Sequence, residues 1–129
     1  MQNGSNSAIM GTALGIIIDK PKLTAQVLLE DVAKAHVFAL DPRIAPSLTN
    51  LLVVGNGGRG IPWDEMATIV EHYYPEEVSA GILSPTKGQQ DWMTRFDVRA
   101  SEQALGFRFA GGAEMVRSVV DQYLQLRRM

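Results

Sequence analysis

The sequence predicts an α/β fold with about three short strands and four to five helices. Three observations carry that prediction. Apolar residues recur at helical spacing in two long stretches, at Trp63, Met66, Ile69, Val70 and Tyr73, and at Met115, Val116, Val119, Val120, Tyr123 and Leu124. Leu51-Leu52-Val53-Val54 is instead a continuous apolar run, the pattern of a strand buried on both faces in a parallel sheet. The two kinds of pattern alternate along the chain as helix, strand, helix, strand, helix, strand, helix, helix.

In chain order, Ala8 to Leu14 is the first helix, with Asn6 or Ser7 as its cap and Gly15 as its stop. Thr24 to Leu29 reads as a strand. Glu30-Asp31 opens a second helix that runs to about Leu40, and acidic residues in a first turn suit the positive end of the helix dipole. Val32, Ala33, Val37 and Leu40 share one broad apolar face of it. Asp41-Pro42 ends it, because the residue before a proline is pushed away from helical dihedrals. After the run at Leu51 to Val54, Pro62 fits the first position of a third helix, followed by Asp64 and Glu65. Pro75 ends that helix. Ser79 to Gln90, rich in Ser, Gly, Pro and Gln, reads as a loop, and Met93 to Val98 as a short strand. Arg99 to Leu105 is a short helix closed by Gly106 at C′. Gly111-Gly112 precedes a final helix reaching about Leu126.

Three strands are fewer than the roughly five or six of an ordinary sheet. The most apolar of them calls for cover on both faces, and the chain supplies little to cover it. The expectation is that these helices are shaped to lean against a sheet the chain does not itself provide.

The 129 residues, 46% apolar and 20% charged, fit one soluble globular domain spanning 1–129. A net charge of −2 excludes a general nucleic-acid or anionic-membrane binder, since either needs a positive surface. Arg127-Arg128 suits a helix C-terminus. With no cysteine there is no disulfide, thiolate nucleophile or Cys-type zinc site, and a cytoplasmic setting is expected. Met1 to Ser7 carries no basic region ahead of an apolar run, so it does not read as a signal peptide. The longest apolar stretches are too short to cross a bilayer.

Gly55-Asn56-Gly57-Gly58-Arg59-Gly60 matches G-x-G-x-x-G, follows a predicted strand and precedes a helix. A dinucleotide-binding turn needs its helix to begin within the glycines, so that free N–H groups meet the pyrophosphate. Here Pro62 begins the helix after the last glycine. The stretch Gly81-Ile82-Leu83-Ser84-Pro85, about twenty residues on, offers no acidic residue for a ribose. A strand-to-helix loop is the better reading.

Other chemistry is sparse. His36 and His72 each lack a second ligand at metal-binding spacing, so no metal site is expected. Glu76 and Glu77 read as solvated carboxylates after a helix stop, and Asp31 as a first-turn helix residue. No G-x-S-x-G elbow is present. Tyr73-Tyr74 and Tyr123 lack a lysine four residues on. No catalytic residue is assigned.

Several segments together resemble the C-terminal half of extended short-chain dehydrogenases, the NAD(P)-dependent epimerase/dehydratase family, and most of all its dihydroflavonol-reductase-like and fungal ketone or aldehyde reductase branch. Val27 to Leu40 looks like the family's apolar strand leading into a "DDVAxAH" helix. Leu51 to Gly55 is similar to a later strand, and Trp63-Asp64-Glu65-Met66 to the helix after it. Phe96 to Phe107 looks like its "D-x-S-K-x-x-x-LGF" stretch, and Met115 to Leu124 like its closing helix. Ser101 and Glu102 depart from the usual "S-K" spacing.

The resemblance implies a partial, C-terminal substrate-side region of a Rossmann-type reductase. Its nucleotide-binding half, phosphate turn, catalytic Ser and Tyr-x-x-x-Lys pair are expected to be absent from this chain. By the same resemblance Ile9, Met10, Leu14, Gln26 and Leu28 face the substrate, and Ser5 the edge of the cofactor. Leu28 departs from the family, which carries a polar His or Asp there. NADP or NAD is the implied cofactor, not expected to be held by this chain alone, and a small-molecule ketone or aldehyde of the kind met in secondary metabolism is the implied substrate. A second reading is a non-enzymatic accessory protein that docks a protein partner, or forms a homodimer, through an exposed apolar face. A third is a small independent isomerase or dehydratase using Asp31, His36 or His72.

Overall fold

The computed structural model describes residues 6–44 and 50–129. Helix α1 (Asn6–Ala13) stops at Gly15, as expected, where φ is +78° and a Cβ would lie 2.7 Å from the Ser84 carbonyl oxygen. β1 (Lys22–Leu23) pairs in parallel with β2 (Asp91–Trp92), Lys22 opposite Asp91 and Leu23 opposite Trp92. Between them lie α2 (Leu29–Phe38), α3 (Trp63–Tyr73) and α4 (Pro75–Ser79). After β2 come α5 (Arg99–Leu105), closed by left-handed Gly106 as expected, and α6 (Gly112–Arg128).

The strands depart most from expectation. Two are present rather than three among the described residues, and each is only two residues long. Thr24 to Leu28 and Leu51 to Val54 belong to no ladder. A strand exists through its neighbour, and here the neighbours are replaced by single bonds. Gly55 N donates to the Gln26 carbonyl at 2.8 Å, and Leu52 N donates to the Ser101 hydroxyl at 2.8 Å. Met93 to Val98 is likewise outside the sheet, which closes just before it.

Six α-helices among the described residues take more of the chain than expected. Pro75 ends α3 and also begins α4, since a missing N–H costs nothing in a first turn. Pro62 sits at the N-cap of α3 rather than inside it.

The main core lies between α1, α3 and α6. Ile9, Met10 and Ala13 meet Trp63, Met66 and Val70, and Met115, Val116, Val120 and Leu124 close the third side. These three helices therefore cover one another instead of leaning on a sheet, at about 1.5–3 kcal/mol for each large apolar side chain fully buried. A second cluster joins Ala35, Val54, Val98, Leu105 and Phe109.

Helix α2 is the exception. Its expected inner face is not inward. Asp31 and Ala35 are its buried residues, while Val37 is 64% and Leu40 81% exposed. The orientation is set by Asp31, whose Oδ2 accepts a hydrogen bond from Ala110 N. In the run Leu51 to Val54 only Val54 is buried, and Leu52 is 41% exposed. The shortage of cover read from the sequence therefore shows at α2 and this run, and also at Ile16 to Ile18 and at Leu23, Trp92 and Met93 of the small sheet's edge. No helix among the described residues is long and apolar enough to cross a membrane.

Candidate functional site

Segment 24–28 links β1 to α2 and is held at Thr24 and at Gln26, whose carbonyl also accepts from Gly55 N. Buried Thr24 donates its hydroxyl to the Arg59 carbonyl at 3.2 Å. Gln26 accepts from Ile61 N at 2.7 Å through Oε1, and its Nε2 donates to the Ile61 carbonyl at 3.5 Å. The glycine turn makes this approach possible. A Cβ on Gly60, where φ is +65°, would fall 1.0 Å from the Thr24 carbonyl oxygen, and one on Gly58 would fall 1.9 Å from that of Phe96.

Laid against α1 in this way, the segment forms two adjoining grooves that share Asn6, Ile9 and Val27. The first, about 340 Å³, continues over Leu28 and Leu29 to Met115 and Val119 of α6. The second, about 460 Å³, passes Ala8, Ala25 and Gln26 and ends at Lys22, Leu23 and Trp63. The second is mainly apolar, the usual make-up of a small-molecule site, whereas the first is evenly mixed, with Asn6, Glu30, Ser118 and Gln122 among its walls.

Trp63 fixes the far end of the second groove. Its backbone N donates to Asp91 Oδ1 at 3.0 Å, and its indole Nε1 donates to the Lys22 carbonyl at 3.2 Å. The Lys22 ammonium then folds back over the indole ring, 4.9 Å from the centroid. Burial pulls its pKa below the ordinary lysine value. None of the ion pairs among the described residues involves Lys22.

Of the residues that the family resemblance marks as substrate-facing, Ile9, Gln26 and Leu28 line these grooves. Gln26 spends its amide on Ile61, so it holds the wall and has little left to offer a ligand. Met10 lies in the main core behind Ile9, and Leu14 is partly buried against the same core. Ser5 lies outside the described residues. Lys22, Trp63, Met115 and Val119 were not singled out from the sequence. A lone lysine after a proline carries no local signal, and the other three read as helix core.

The glycine turn does not fit a dinucleotide. Gly58 N and Gly60 N both donate to the Gly55 carbonyl, Arg59 N to that of Asn56, and Asn56 N to that of Ala110. Two of its glycines are pressed against other backbone, and α3 begins only at Trp63. The described amides are thus largely committed within the protein, and no helix N-terminus opens at the turn.

The other polar candidates are engaged separately. His36 Nδ1 is 2.8 Å from the Val32 carbonyl, and His72 packs edge-on against Tyr73. Asp31 is bound to Ala110 N. No group of three or more metal-binding side chains occurs among the described residues. Tyr74, buried under α6, donates to Asp121 Oδ1 at 2.5 Å; burial, then the neighbouring carboxylate, pushes its phenol well above the ordinary value.

The chain is similar to curated proteins named ketoreductases. It is 38% identical over 112 residues to ketoreductase CTB6 of Cercospora nicotianae, covering 84% of this chain and 30% of the relative. It is 37% identical over 112 residues to ketoreductase CTB6 of Cercospora beticola, with the same coverage. With ketoreductase sphI of Aspergillus fumigatus it shares 34% identity over 99 residues, 77% of this chain and 27% of the relative. The chain therefore spans less than a third of the length of these relatives. No protein-family model matches it, and no solved structure does.

Proposed function

We propose that this chain forms the substrate-side segment of an NAD(P)-dependent reductase acting on a ketone or aldehyde carbonyl of a small molecule. The observation that carries this reading is the pair of adjoining grooves, walled by Ile9 and Leu28 in the first and by Ile9 and Gln26 in the second, residues that resemble the substrate-facing positions of extended short-chain dehydrogenases. The similarity to named ketoreductases supports the same chemistry. Ile9, Val27, Leu28, Met115 and Val119 grip the apolar body of the substrate and exclude water. Met10 and Leu14 back that wall. Gln26 keeps the segment in place through Ile61. The nicotinamide supplies the hydride when bound, and Ser5 stands at its edge by resemblance. The described residues do not fit the dinucleotide, so the phosphate turn and the proton donor come from elsewhere. In this reading the chain works in the cytoplasm, on a small molecule.

The test is an amide NMR titration of the chain with 2-acetylnaphthalene, a ketone of a size suited to the grooves. Saturable shifts at Ile9, Val27, Leu28 and Val119 support the reading. Saturable shifts confined to other faces, or none, overturn it.

A second reading rests on α2. Leu29 is 77% exposed beside Val37 and Leu40, a face suited to a protein partner or a second copy. Sedimentation at increasing concentration separates the two states. A Leu40→Gln variant that abolishes self-association supports this reading, and a monomer at all concentrations removes the homodimer from it.

A further inference from the structure

We infer that the second groove selects a substrate carrying an acidic oxygen, a carboxylate or an ionised phenol or enol, next to its apolar body, and that Lys22 is the group that recognises it. The inference rests on the substrate reading of the grooves and adds to it the chemical class of the ligand.

Three features meet at Lys22. Its half-buried side chain lies against the groove, the ammonium beside Gly11 and over the Trp63 ring. Groove walls at Ala8, Ile9 and Ala25 offer it no hydrogen-bond acceptor from their side chains. Asp91, its neighbour across the two-stranded sheet, turns Oδ1 to Trp63 N and makes no ion pair with it.

An ammonium has three N–H donors. Stacking on an indole compensates part of its lost hydration and satisfies none of those donors in the way an oxygen acceptor does. Such a group gains most from an anion delivered into the groove, where a charge-assisted bond forms away from bulk water. The cost of holding an unpaired lysine there is small while the groove stays open to water, and it turns into affinity when a ligand displaces that water.

Two isosteres give the test, 2-naphthoate and the neutral 2-naphthamide, each titrated into the chain and followed at the amides of Lys22, Ala25 and Val27 and at the Trp63 indole N–H. The expected result is saturable binding of the naphthoate at least about tenfold tighter than the naphthamide, since only the carboxylate adds an ion pair to the bond from the ammonium. Lys22→Gln should erase that preference, chiefly by weakening the naphthoate, and Lys22→Arg should keep it. Equal binding of the two probes at these amides overturns the role of Lys22 and leaves the substrate groove standing. A preference that survives in Lys22→Gln also overturns it. Failure of both probes to reach these amides, together with failure of 2-acetylnaphthalene, overturns the groove reading itself.

Discussion

Asp31 and Ala110 stand 79 residues apart in sequence, and the Ala110 amide donates to Asp31 Oδ2 at 2.6 Å in the protein interior. That bond ties the first turn of α2 to the approach of α6. It also decides which face of α2 is buried.

Asp31→Ala should cost about 2–3 kcal/mol, because it leaves a buried amide without an acceptor and removes an acidic group from a helix N-terminus. Asp31→Asn keeps an acceptor and should cost about half as much. Urea unfolding of the three proteins measures this. A loss below about 0.5 kcal/mol for the alanine variant would show that the bond is not structural.

That bond could not be read from the sequence. Asp31 has the local signature of a first-turn acid, and nothing local announces a partner at Ala110. What was legible came from short-range rules. The stripes of α3 and α6, the stop at Gly15 and the cap at Gly106 depend only on helical spacing and backbone sterics. The strands at Leu51 to Val54 and Thr24 to Leu29 were misread because an apolar run is only half of a strand. The other half is a neighbour, and here Ser101 and Gly55 stand in for it with one bond each. The grooves were partly legible through Ile9 and Leu28, whereas Lys22 emerges only where β1 meets the start of α3.

The glycine turn gives a graded test. Gly57 has open space around a notional Cβ and only its positive φ of +67° to oppose a side chain, so Gly57→Ala should cost about 1–2 kcal/mol. Gly60→Ala drives the methyl into the Thr24 carbonyl, so it should cost more than about 4 kcal/mol or prevent folding. Thermal melts rank them. Equal effects at the two positions would contradict the role of Gly60 in seating segment 24–28.

Tyr74 sets an alkaline limit. Its folded pKa is raised, chiefly by burial and then by Asp121, so the folded state favours the protonated phenol. Its contribution is fully present below the unfolded value of about 10 and is lost as pH rises through the higher folded value. Tyr74→Phe should cost about 1 kcal/mol at neutral pH and flatten the fall in stability above about pH 10. Urea midpoints across that range check it. A parallel fall in both proteins would place the alkaline sensitivity elsewhere.

The outward face of α2 and Leu40, just past its C-cap Ala39, contribute little to the fold. Leu29→Gln and Leu40→Gln should each change stability by less than about 0.5 kcal/mol. Both should reduce binding of a dye that reports exposed apolar surface. A large loss of stability would mean that this face is covered in solution.

The most direct measurement of the central claim, that this chain contributes a substrate groove and not a dinucleotide site, is a fluorescence titration of the purified chain with NADPH and then with 2-acetylnaphthalene followed by NMR. The account predicts no saturable NADPH binding in the micromolar range and saturable ketone shifts at Ile9, Leu28 and Val119. Micromolar NADPH binding that is lost in Gly57→Ala would contradict it.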